Sequence, residues 1–246
     1  MLTSVRGIFA ATLFAGAALA ATPAFADEAD APADITVTGN VSLVSDYRFR
    51  GVSQSNGDLA LQGGITVTHA SGFYAGGWSS SISDEQFGIG DQELDLFGGW
   101  SGEVTSGLTL DAGLLYYVYP GAPKGVNSDF FEPYASVSGQ VGPAKLKVGV
   151  AYAWDQAALA DQDNLYVYSN LDIAVPNTPV TLSGHVGYTD GFLAISADGN
   201  TFDWSVGASA TVFGPLSVGV SYIGVGGPSI DKRTDDAVVG TLTASF

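Results

Sequence analysis

The chain lacks cysteine altogether and carries few charges of either sign. Without cysteine it can form neither disulfide bonds nor the lipidated amino terminus of a lipoprotein. Charged residues make up 13% of its 246 residues, with 25 acidic against 8 basic side chains. Such an acidic excess disfavours nucleic acid as a partner, because phosphate binding requires a basic surface. The chain therefore needs another source of stability and another kind of partner.

Only the first 26 residues have the composition of a targeting segment. Arg6 precedes the uncharged stretch 7–21, and Ala24-Phe25-Ala26 forms a small-x-small cleavage site. We predict a cleaved signal peptide over 1–26 and a short periplasmic segment over 27–34. A retained membrane anchor is disfavoured, since a proline interrupts the stretch and acidic residues follow it. Cleavage removes one base and no acid, which changes the net charge from −17 to −18.

Beyond residue 26 the chain has no apolar run long enough for a membrane-spanning helix. Its side chains instead alternate between apolar and polar, as in a strand whose two faces meet different environments. The final residues show the pattern most simply, with Val238, Gly240, Leu242, Ala244 and Phe246 in the apolar phase. An exported membrane protein without a spanning helix has one remaining solution, a closed barrel whose strands satisfy one another's backbone groups.

Twelve such segments can be drawn along the mature chain. They lie at roughly 35–50, 59–70, 73–82, 93–101, 108–119, 130–138, 144–154, 164–175, 180–189, 201–212, 216–223 and 237–246. Short connections alternate with longer ones rich in Asp, Gly and Asn, like the periplasmic turns and extracellular loops of outer-membrane barrels. The sequence thus predicts an all-β fold over 35–246, a transmembrane antiparallel up-and-down β-barrel of 12 strands in the cell outer membrane. A soluble periplasmic β-sandwich would alternate too, but would not need connections that alternate in length.

Aromatic side chains support the same topology, because Trp and Tyr collect at the two membrane interfaces. On the predicted strands they point outward near the extracellular ends at Phe49, Trp154, Tyr188, Phe202, Trp204 and Tyr222. Trp100 and the terminal Phe246 fall at the periplasmic end. The even strand number places both termini on that side, where Phe246 is expected to act as the assembly signal for the barrel-assembly machinery.

Several segments resemble the TorF-type porins, a proteobacterial outer-membrane family whose own function is not established. They are SDYRFRGVSQ (45–54), ELDL (93–96) with GWSG (99–102), GLLYYVYP (113–120) and, more weakly, GHVGYTD (184–190). The resemblance extends over nearly the whole mature chain and is densest in its first half. It implies an outer-membrane barrel of the porin kind, but no particular solute.

The polar phase of the predicted strands carries the candidate pore-lining residues. They are Asp46, Arg48, Arg50, Asp95, Asp111, Tyr117, Tyr119, Lys145, Lys147, Asp172, His185 and Asp203. A water-filled lumen lined by such groups filters solutes, so we predict a passive diffusion channel for small hydrophilic solutes. Two alternatives stay open. One is a non-conducting structural or adhesive surface barrel, whose charges pair across the lumen, and the other is a soluble periplasmic binding protein.

Arg48 and Arg50 are the most specific of these candidates, because side chains two residues apart point the same way on a strand. Near the outer rim, each guanidinium could hold a carboxylate or phosphate in a fork of donors. The alternatives are pairing with neighbours such as Asp46, or with lipopolysaccharide phosphates. Lys145 and Lys147, near the periplasmic end of a distant strand, are expected to be ordinary lumen charges.

No catalytic or cofactor-binding arrangement is predicted. The chain has two histidines, His69 at a periplasmic turn and His185 on the inward phase. Ser183 shares the face of His185, but this pair would sit in the lumen, away from lipid, which disfavours a lipid hydrolase. The histidines are too far apart for a zinc site, and no metal or cofactor is expected. The expected partners are outer-membrane lipid, lipopolysaccharide, the barrel-assembly machinery and small solutes, while the oligomeric state is left open.

Overall fold

A computed structural model describes residues 34–246 with the exception of 228, 230 and 231. The predicted signal peptide and nearly all of segment 27–34 lie outside the described residues. Twelve long strands form one closed barrel, in which each strand pairs antiparallel with the next barrel strand and the first pairs with the last. They are β1 (Ile35–Val44), β4 (Ala60–His69), β5 (Phe73–Ser81), β6 (Gln92–Thr105), β7 (Leu108–Val118), β8 (Phe130–Val141), β9 (Ala144–Gln156), β10 (Gln162–Ala174), β11 (Val180–Gly191), β12 (Asn200–Phe213), β13 (Leu216–Val225) and β14 (Ala237–Ser245). The predicted 12-stranded up-and-down barrel is confirmed.

Smaller elements occur in the connections. A short hairpin of β2 (Arg48–Phe49) and β3 (Val52–Ser53) follows β1 and forms a separate two-stranded sheet. One helical turn, α1 (Asp84–Phe87), lies between β5 and β6, and a 3₁₀ turn (Ala157–Leu159) joins β9 to β10. Among the described residues, no helix has the length and apolar character needed to cross a membrane.

The connections divide the barrel into two rims. The short-turn rim, where β1 begins and β14 ends, carries the connections 70–72, 106–107, 142–143, 175–179 and 214–215. The opposite, long-loop rim carries 45–59, 82–91, 119–129, 157–161, 192–199 and 226–236. Lengths alternate as predicted except at 157–161, because β9 and β10 both extend into the segment expected to be a loop.

The outward phase of the strands is apolar. In β1, for example, the outward Val37 is 53% exposed and Val41 49% exposed, while Thr38 and Asn40 between them face the interior. Every barrel strand contributes at least one exposed large apolar side chain. Soluble monomers rarely expose an apolar surface of this extent, which is instead the lipid-facing belt of a membrane barrel.

Aromatic side chains ring the outside near the long-loop rim. Of the predicted outward aromatics, Trp154, Phe202 and Tyr222 are exposed and Tyr188 and Trp204 are partly exposed. The ring of Phe131 stacks between those of Tyr116 and Trp154, with centroids 4.1 and 6.1 Å away, and extends this girdle across β7, β8 and β9. At the short-turn rim Phe246 is 69% exposed. The prediction for Phe49 is wrong, because this residue lies inside the barrel.

The barrel closes where the last residues meet β1. The Gly39 amide donates to the Phe246 carbonyl at 2.8 Å, and the Phe246 amide donates back to Gly39 at 2.9 Å. The Phe246 ring covers Gly39 so closely that a Cβ at position 39 would come within 2.6 Å of it. A Cβ there would also lie 2.9 Å from the Gly64 carbonyl oxygen, so a larger residue at position 39 would force the seam to shift.

The predicted first strand, 35–50, ends six residues early, at the end of β1. Its last residues belong instead to the short hairpin, which folds into the barrel. Arg50 and Gly51 have φ angles of 47° and 79°, and positive φ at both central positions is what a tight two-residue hairpin turn requires. Phe49, predicted to face outward, and the neighbouring Tyr47 consequently pack inside.

Pro133 lies within β8, although proline cannot donate a ladder hydrogen bond. On the β7 side the register passes through Pro133 without a shift, opposite Leu114. On the β9 side strand pairing begins only at Tyr134. The Gln156 side chain replaces the missing strand bonds there, since it both accepts from and donates to the Phe131 backbone at 2.8 Å. Proline is tolerated because its nitrogen faces the side where strand pairing has ended.

Candidate functional site: the barrel lumen

Residues 45–58, which we call the inner hairpin, fold into the lumen from the long-loop rim. Asp46, only 6% exposed, holds the two arms of this segment together. Its Oδ1 accepts hydrogen bonds from Ser53 Oγ at 2.6 Å and Ser55 Oγ at 3.2 Å. Its Oδ2 accepts one from Arg48 Nε at 2.6 Å. The segment is thus an ordered insertion rather than a loose loop.

Arg48 fastens the inner hairpin to the loop that precedes β14. Its Nη1 donates to the carbonyl of Gly51 at 3.0 Å and to that of Asp235 at 2.7 Å. The Ser53 amide adds a hydrogen bond to the Arg233 carbonyl at 2.9 Å. Arg48 therefore forms its ion pair within the protein, with Asp46. The prediction that it faces a solute from a wall strand is wrong, because it lies in the inner hairpin.

Arg50 crosses the lumen to the wall at β8. Its Nη2 donates to both carboxylate oxygens of Glu132, at 2.7 and 2.8 Å, and both side chains are almost fully buried. The guanidinium also lies 4.1 Å from the ring centroid of Tyr166 and 4.7 Å from that of Phe49, close enough for cation–π attraction. Burial by itself lowers the pKa of Arg50, but the Glu132 carboxylate outweighs it, so the pKa is raised and the cation persists. Arg48 and Arg50, expected side by side on one strand face, point to different partners.

Aromatic residues of the inner hairpin pack against the wall formed by β5, β6 and β7. Tyr47 meets Trp78 edge to face with ring centroids 5.4 Å apart, and Phe49 meets Tyr117 at 5.9 Å. The Tyr47 hydroxyl donates to Glu93 Oε1 at 2.9 Å. Burial and, next, the negative charge of Glu93 raise the pKa of the Tyr47 phenol well above its usual value, so it remains a donor. The inner hairpin thus fills this side of the lumen.

A second polar cluster lies on β10, β11 and β12. His185 Nε2 is 2.8 Å from Asp203 Oδ1 and 2.9 Å from the Tyr166 hydroxyl, and its Nδ1 is 2.5 Å from Asn170 Oδ1. The Tyr166 ring is also the one beneath Arg50, so this cluster supports the inner hairpin. A serine hydrolase would need a serine hydroxyl on one histidine nitrogen. Tyr166, Asp203 and Asn170 occupy both nitrogens instead.

Two carboxylates, Glu93 and Asp95, face the lumen from β6. Glu93 is bonded by the inner hairpin and lies 3.5 Å from the Tyr119 hydroxyl. Asp95 stands between Trp78 and Tyr117 in the cross-strand register and is 0% exposed. Within the part of the chain that the structure describes, neither Asp95 oxygen has a hydrogen-bond partner.

Toward the short-turn rim the lumen carries the remaining predicted charges. Asp111 accepts a hydrogen bond from the Tyr74 hydroxyl at 2.6 Å. Lys145 lies directly opposite Asp172 in the register of β9 and β10, and Lys147 is the next inward residue of β9. Both lysines and Asp172 are only partly buried, unlike the charges around the inner hairpin. The lumen is therefore tightly filled near one rim and more solvated toward the other.

All the predicted pore-lining residues lie inside the barrel, but in three separate groups. The inner hairpin holds Asp46, Arg48 and Arg50, the wall beside it holds Asp95, Tyr117, Tyr119, His185 and Asp203, and the short-turn half holds Asp111, Lys145, Lys147 and Asp172. Sequence reasoning misses Glu93, Glu132 and Tyr166, which bind these groups. Glu93 shares the phase of Asp95 and could have been found from it. Glu132 lies in a segment whose phase is ambiguous next to Pro133.

Solved structures with the same fold are outer-membrane proteins. A NanC porin structure is 10% identical, with a TM-score of 0.58, and covers 86% of this chain and 99% of that one. The KdgM porin, solved with a disordered oligogalacturonate, is 8% identical with a TM-score of 0.56, over 85% and 97% of the two chains. Outer-membrane phospholipase A from Escherichia coli is 9% identical with a TM-score of 0.51, over 89% and 93%. At such identities the likeness establishes the barrel fold and nothing of the chemistry.

The sequence itself places the chain in a family. No curated protein matches it. Residues 27–246, which include every strand of the barrel, match a family described as a bacterial protein of unknown function, Gcw_chp. The protein therefore belongs to the Gcw_chp family of bacterial proteins of unknown function.

Proposed function

We propose that this protein is an outer-membrane porin, a passive diffusion channel for small hydrophilic solutes. The apolar outer belt, the polar lumen and the closed barrel support this proposal. The resemblance to TorF-type porins supports the same function. We propose that, within the Gcw_chp family, this chain belongs to that group.

In this proposal the long-loop rim faces the outside of the cell and the short-turn rim faces the periplasm, as in other outer-membrane barrels. The inner hairpin then lies at the outer mouth, and Lys145 and Lys147 lie near the periplasmic mouth. Phe246 ends the closing strand on the periplasmic side, where the barrel-assembly machinery would recognise it. The aromatic girdle near the long-loop rim would contact lipid and lipopolysaccharide.

The observation that carries the proposal is the inner hairpin, tied across the lumen by Arg50 and Glu132. A barrel that serves only as a scaffold needs no such insertion, whereas a channel needs a constriction that limits solute size. We propose that the inner hairpin is this constriction and that the conductance is correspondingly small. A twelve-stranded barrel lies between those filled by side chains and those with a wide channel.

The charges around the constriction favour cationic or neutral solutes. The two arginines of the inner hairpin are neutralised by Asp46 and Glu132. Glu93 and Asp95 place two more carboxyl groups beside them, without a cationic partner in the described part of the chain. An anionic saccharide, such as the oligogalacturonate in the KdgM complex, would be repelled by this arrangement. The local positive filter expected from Arg48 and Arg50 is therefore not part of the proposal.

A second candidate function follows from the same packing. The inner hairpin contacts several walls at once, and its charged groups are nearly all buried. If it never leaves the lumen, the protein is a non-conducting structural or adhesive surface barrel. We propose no catalytic activity, because His185 is engaged by Tyr166, Asp203 and Asn170 inside the lumen, away from lipid.

Planar lipid bilayers distinguish the two candidates. We would compare the wild type with a variant in which 46–57 is replaced by a short Gly-Ser linker, and with a control in which the exposed loop 121–127 is shortened. We expect small, cation-preferring steps from the wild type and the control, and larger steps from the linker variant. If only the linker variant conducts, the inner hairpin closes the wild-type lumen, and the result supports the non-conducting surface barrel. No conduction by any of the three would refute the channel.

A further inference from the structure

Asp95 departs from the way in which this lumen treats its other carboxylates. Its side chain is 0% exposed, and among the described residues neither of its oxygens has a hydrogen-bond donor. An unpaired buried carboxylate is much more costly than an unpaired neutral group, so buried charges are normally paired. The other buried carboxylates of the lumen each bond at least one side chain: Asp46 with Arg48, Glu132 with Arg50, Asp203 with His185, Glu93 with Tyr47 and Asp111 with Tyr74.

The surroundings of Asp95 supply further negative charge together with neutral oxygens. Glu93 and Glu132 are its electrostatic neighbours, and the hydroxyl groups of Tyr47 and Tyr117 lie within electrostatic range of it. These hydroxyls already donate to Glu93 at 2.9 Å and to Glu132 at 3.1 Å. Their oxygen lone pairs remain available, because a hydroxyl has one donor and two acceptor positions. The region therefore sets three carboxyl groups against the guanidinium of Arg50, which is already paired with Glu132, and is rich in oxygen acceptors.

We propose that Asp95, together with Glu93 and the hydroxyl groups of Tyr47 and Tyr117, binds a monovalent cation inside the lumen. The ligand class is a small alkali-metal ion such as Na⁺ or K⁺, which protein oxygens coordinate in place of water. Such an ion compensates the unpaired carboxylate. The site would hold its ion whether or not the barrel conducts, so the inference does not rest on the channel proposal.

The geometry points to a singly charged ion rather than to Ca²⁺ or Mg²⁺. Ca²⁺ takes about six to eight oxygen ligands, commonly with several carboxylates, and Mg²⁺ requires near-octahedral coordination with retained waters. In the described ranges of the chain, no group of three or more carboxylates and histidines is placed to enclose a metal ion. Asp95 is also 0% exposed, so an ion bound to it would have to lose water on that side, which Mg²⁺ does reluctantly.

The position of the site gives the ion a structural consequence. Tyr47 belongs to the inner hairpin, whereas Asp95 and Tyr117 belong to the wall strands β6 and β7. An ion held between them would connect the hairpin to the wall, in addition to the ion pair of Arg50 with Glu132. Binding should therefore stabilise the folded barrel, since a ligand that binds only the folded state raises its stability.

Thermal unfolding of the full mature protein in detergent tests the proposal. The melting temperature would be compared in NaCl, KCl and N-methyl-D-glucamine chloride at equal ionic strength. We expect a higher melting temperature in NaCl or KCl, and loss of this difference in Asp95→Asn. Asp172→Asn is the matched control, because it removes a lumen carboxylate far from the site and should keep the difference.

Equal melting temperatures of the wild type in the three salts would overturn the proposal, and so would a folded Asp95→Asn variant that keeps the cation effect. A larger stabilisation by micromolar Ca²⁺ would overturn the assignment to a monovalent ion. Broadening of the ²³Na⁺ resonance by the wild type, reversed by K⁺, gives a measurement that needs no variant to fold. Absence of that broadening would also count against the site. None of these measurements requires the barrel to conduct, so a failure of the cation proposal can be distinguished from a failure of the channel proposal.

Discussion

The substitution Glu132→Gln tests whether the ion pair with Arg50 holds the inner hairpin in the lumen. Glu132 accepts two hydrogen bonds from Arg50, at 2.7 and 2.8 Å, and one from the Tyr117 hydroxyl at 3.1 Å. Arg50 is only 6% exposed, and its Nη1 already lacks a partner among the described residues. Neutralising Glu132 would leave the guanidinium buried without a counter-charge.

Breaking a buried ion pair on one side costs about 3–5 kcal/mol, because the remaining charge stays desolvated. The rings of Phe49 and Tyr166 remain next to Arg50, but these contacts are the same in the wild type and do not reduce the penalty. This loss of free energy need not unfold the barrel, because the inner hairpin is a connection between β1 and β4 and not one of the barrel strands. The hairpin can leave the lumen and hydrate Arg50 while all twelve strands stay paired. We therefore expect an opened lumen rather than a destabilised barrel.

The assay combines conductance with chemical accessibility. Val52 is 4% exposed within the inner hairpin, so a cysteine placed there should resist a water-soluble maleimide in the wild-type background. In Glu132→Gln the same cysteine should react, and the single-channel conductance should rise. The heat-modifiable gel band of the folded barrel should persist.

Two further variants make this test specific. Arg50→Met combined with Glu132→Gln removes both charges and should restore protection of the cysteine, since neither partner is left unpaired. Asp172→Asn, at the other end of the lumen, should change neither readout. If Glu132→Gln leaves the cysteine protected and the conductance unchanged, the ion pair is not what retains the hairpin.

Further predictions concern the seam, assembly and orientation of the barrel. Gly39→Val would bring a Cβ within 2.6 Å of the Phe246 ring. It should lower the free energy of unfolding, measured with urea in detergent, by about 1–3 kcal/mol. Gly184→Ala, where a Cβ meets nothing within 4 Å, is its control, and equal losses in both would contradict the reasoning. Deleting Phe246 removes two backbone hydrogen bonds to β1 and should leave secretion intact but slow membrane insertion, whereas normal surface levels would show that the seam does not need it. A cysteine at Lys124 should react with an impermeant maleimide on intact cells and one at Asn177 should not, and the reverse result would invert the orientation.

The strands, and the lipid-facing side of those that alternate regularly, follow from the sequence alone. Alternation with a period of two depends only on neighbouring residues, and in β1 and β14 it runs unbroken to the seam. The positions of the short turns follow as well, because glycine and proline interrupt the pattern there. These local signals suffice for a twelve-stranded barrel, since a closed barrel is the solution that leaves no backbone group unpaired in lipid.

The local pattern did not determine where the chain leaves the wall of the barrel. Residues 45–50 keep the alternation of β1 in the sequence, and within them Arg48–Phe49 form a strand of the inner hairpin. An extended segment inside the lumen has the same period as one in the wall. In the sequence, the only local signals of the change are Gly51 and the turn-forming Ser55-Asn56-Gly57. In the structure, Arg50 and Gly51 both have positive φ angles.

Whether a charge of the lumen is free or paired was decided by the tertiary structure. Arg50 and Glu132 are 82 residues apart in the chain, and His185 and Asp203 lie on neighbouring strands whose register sets their contact. Nothing within a few residues of Arg50 indicates Glu132 as its partner. Only closure of the barrel, which places β8 across from the segment that follows β1, brings the guanidinium and the carboxylate within hydrogen-bond distance. For the same reason, the lack of a hydrogen-bond partner for Asp95 among the described residues became visible only once its neighbours from β5, β7 and the inner hairpin were in place.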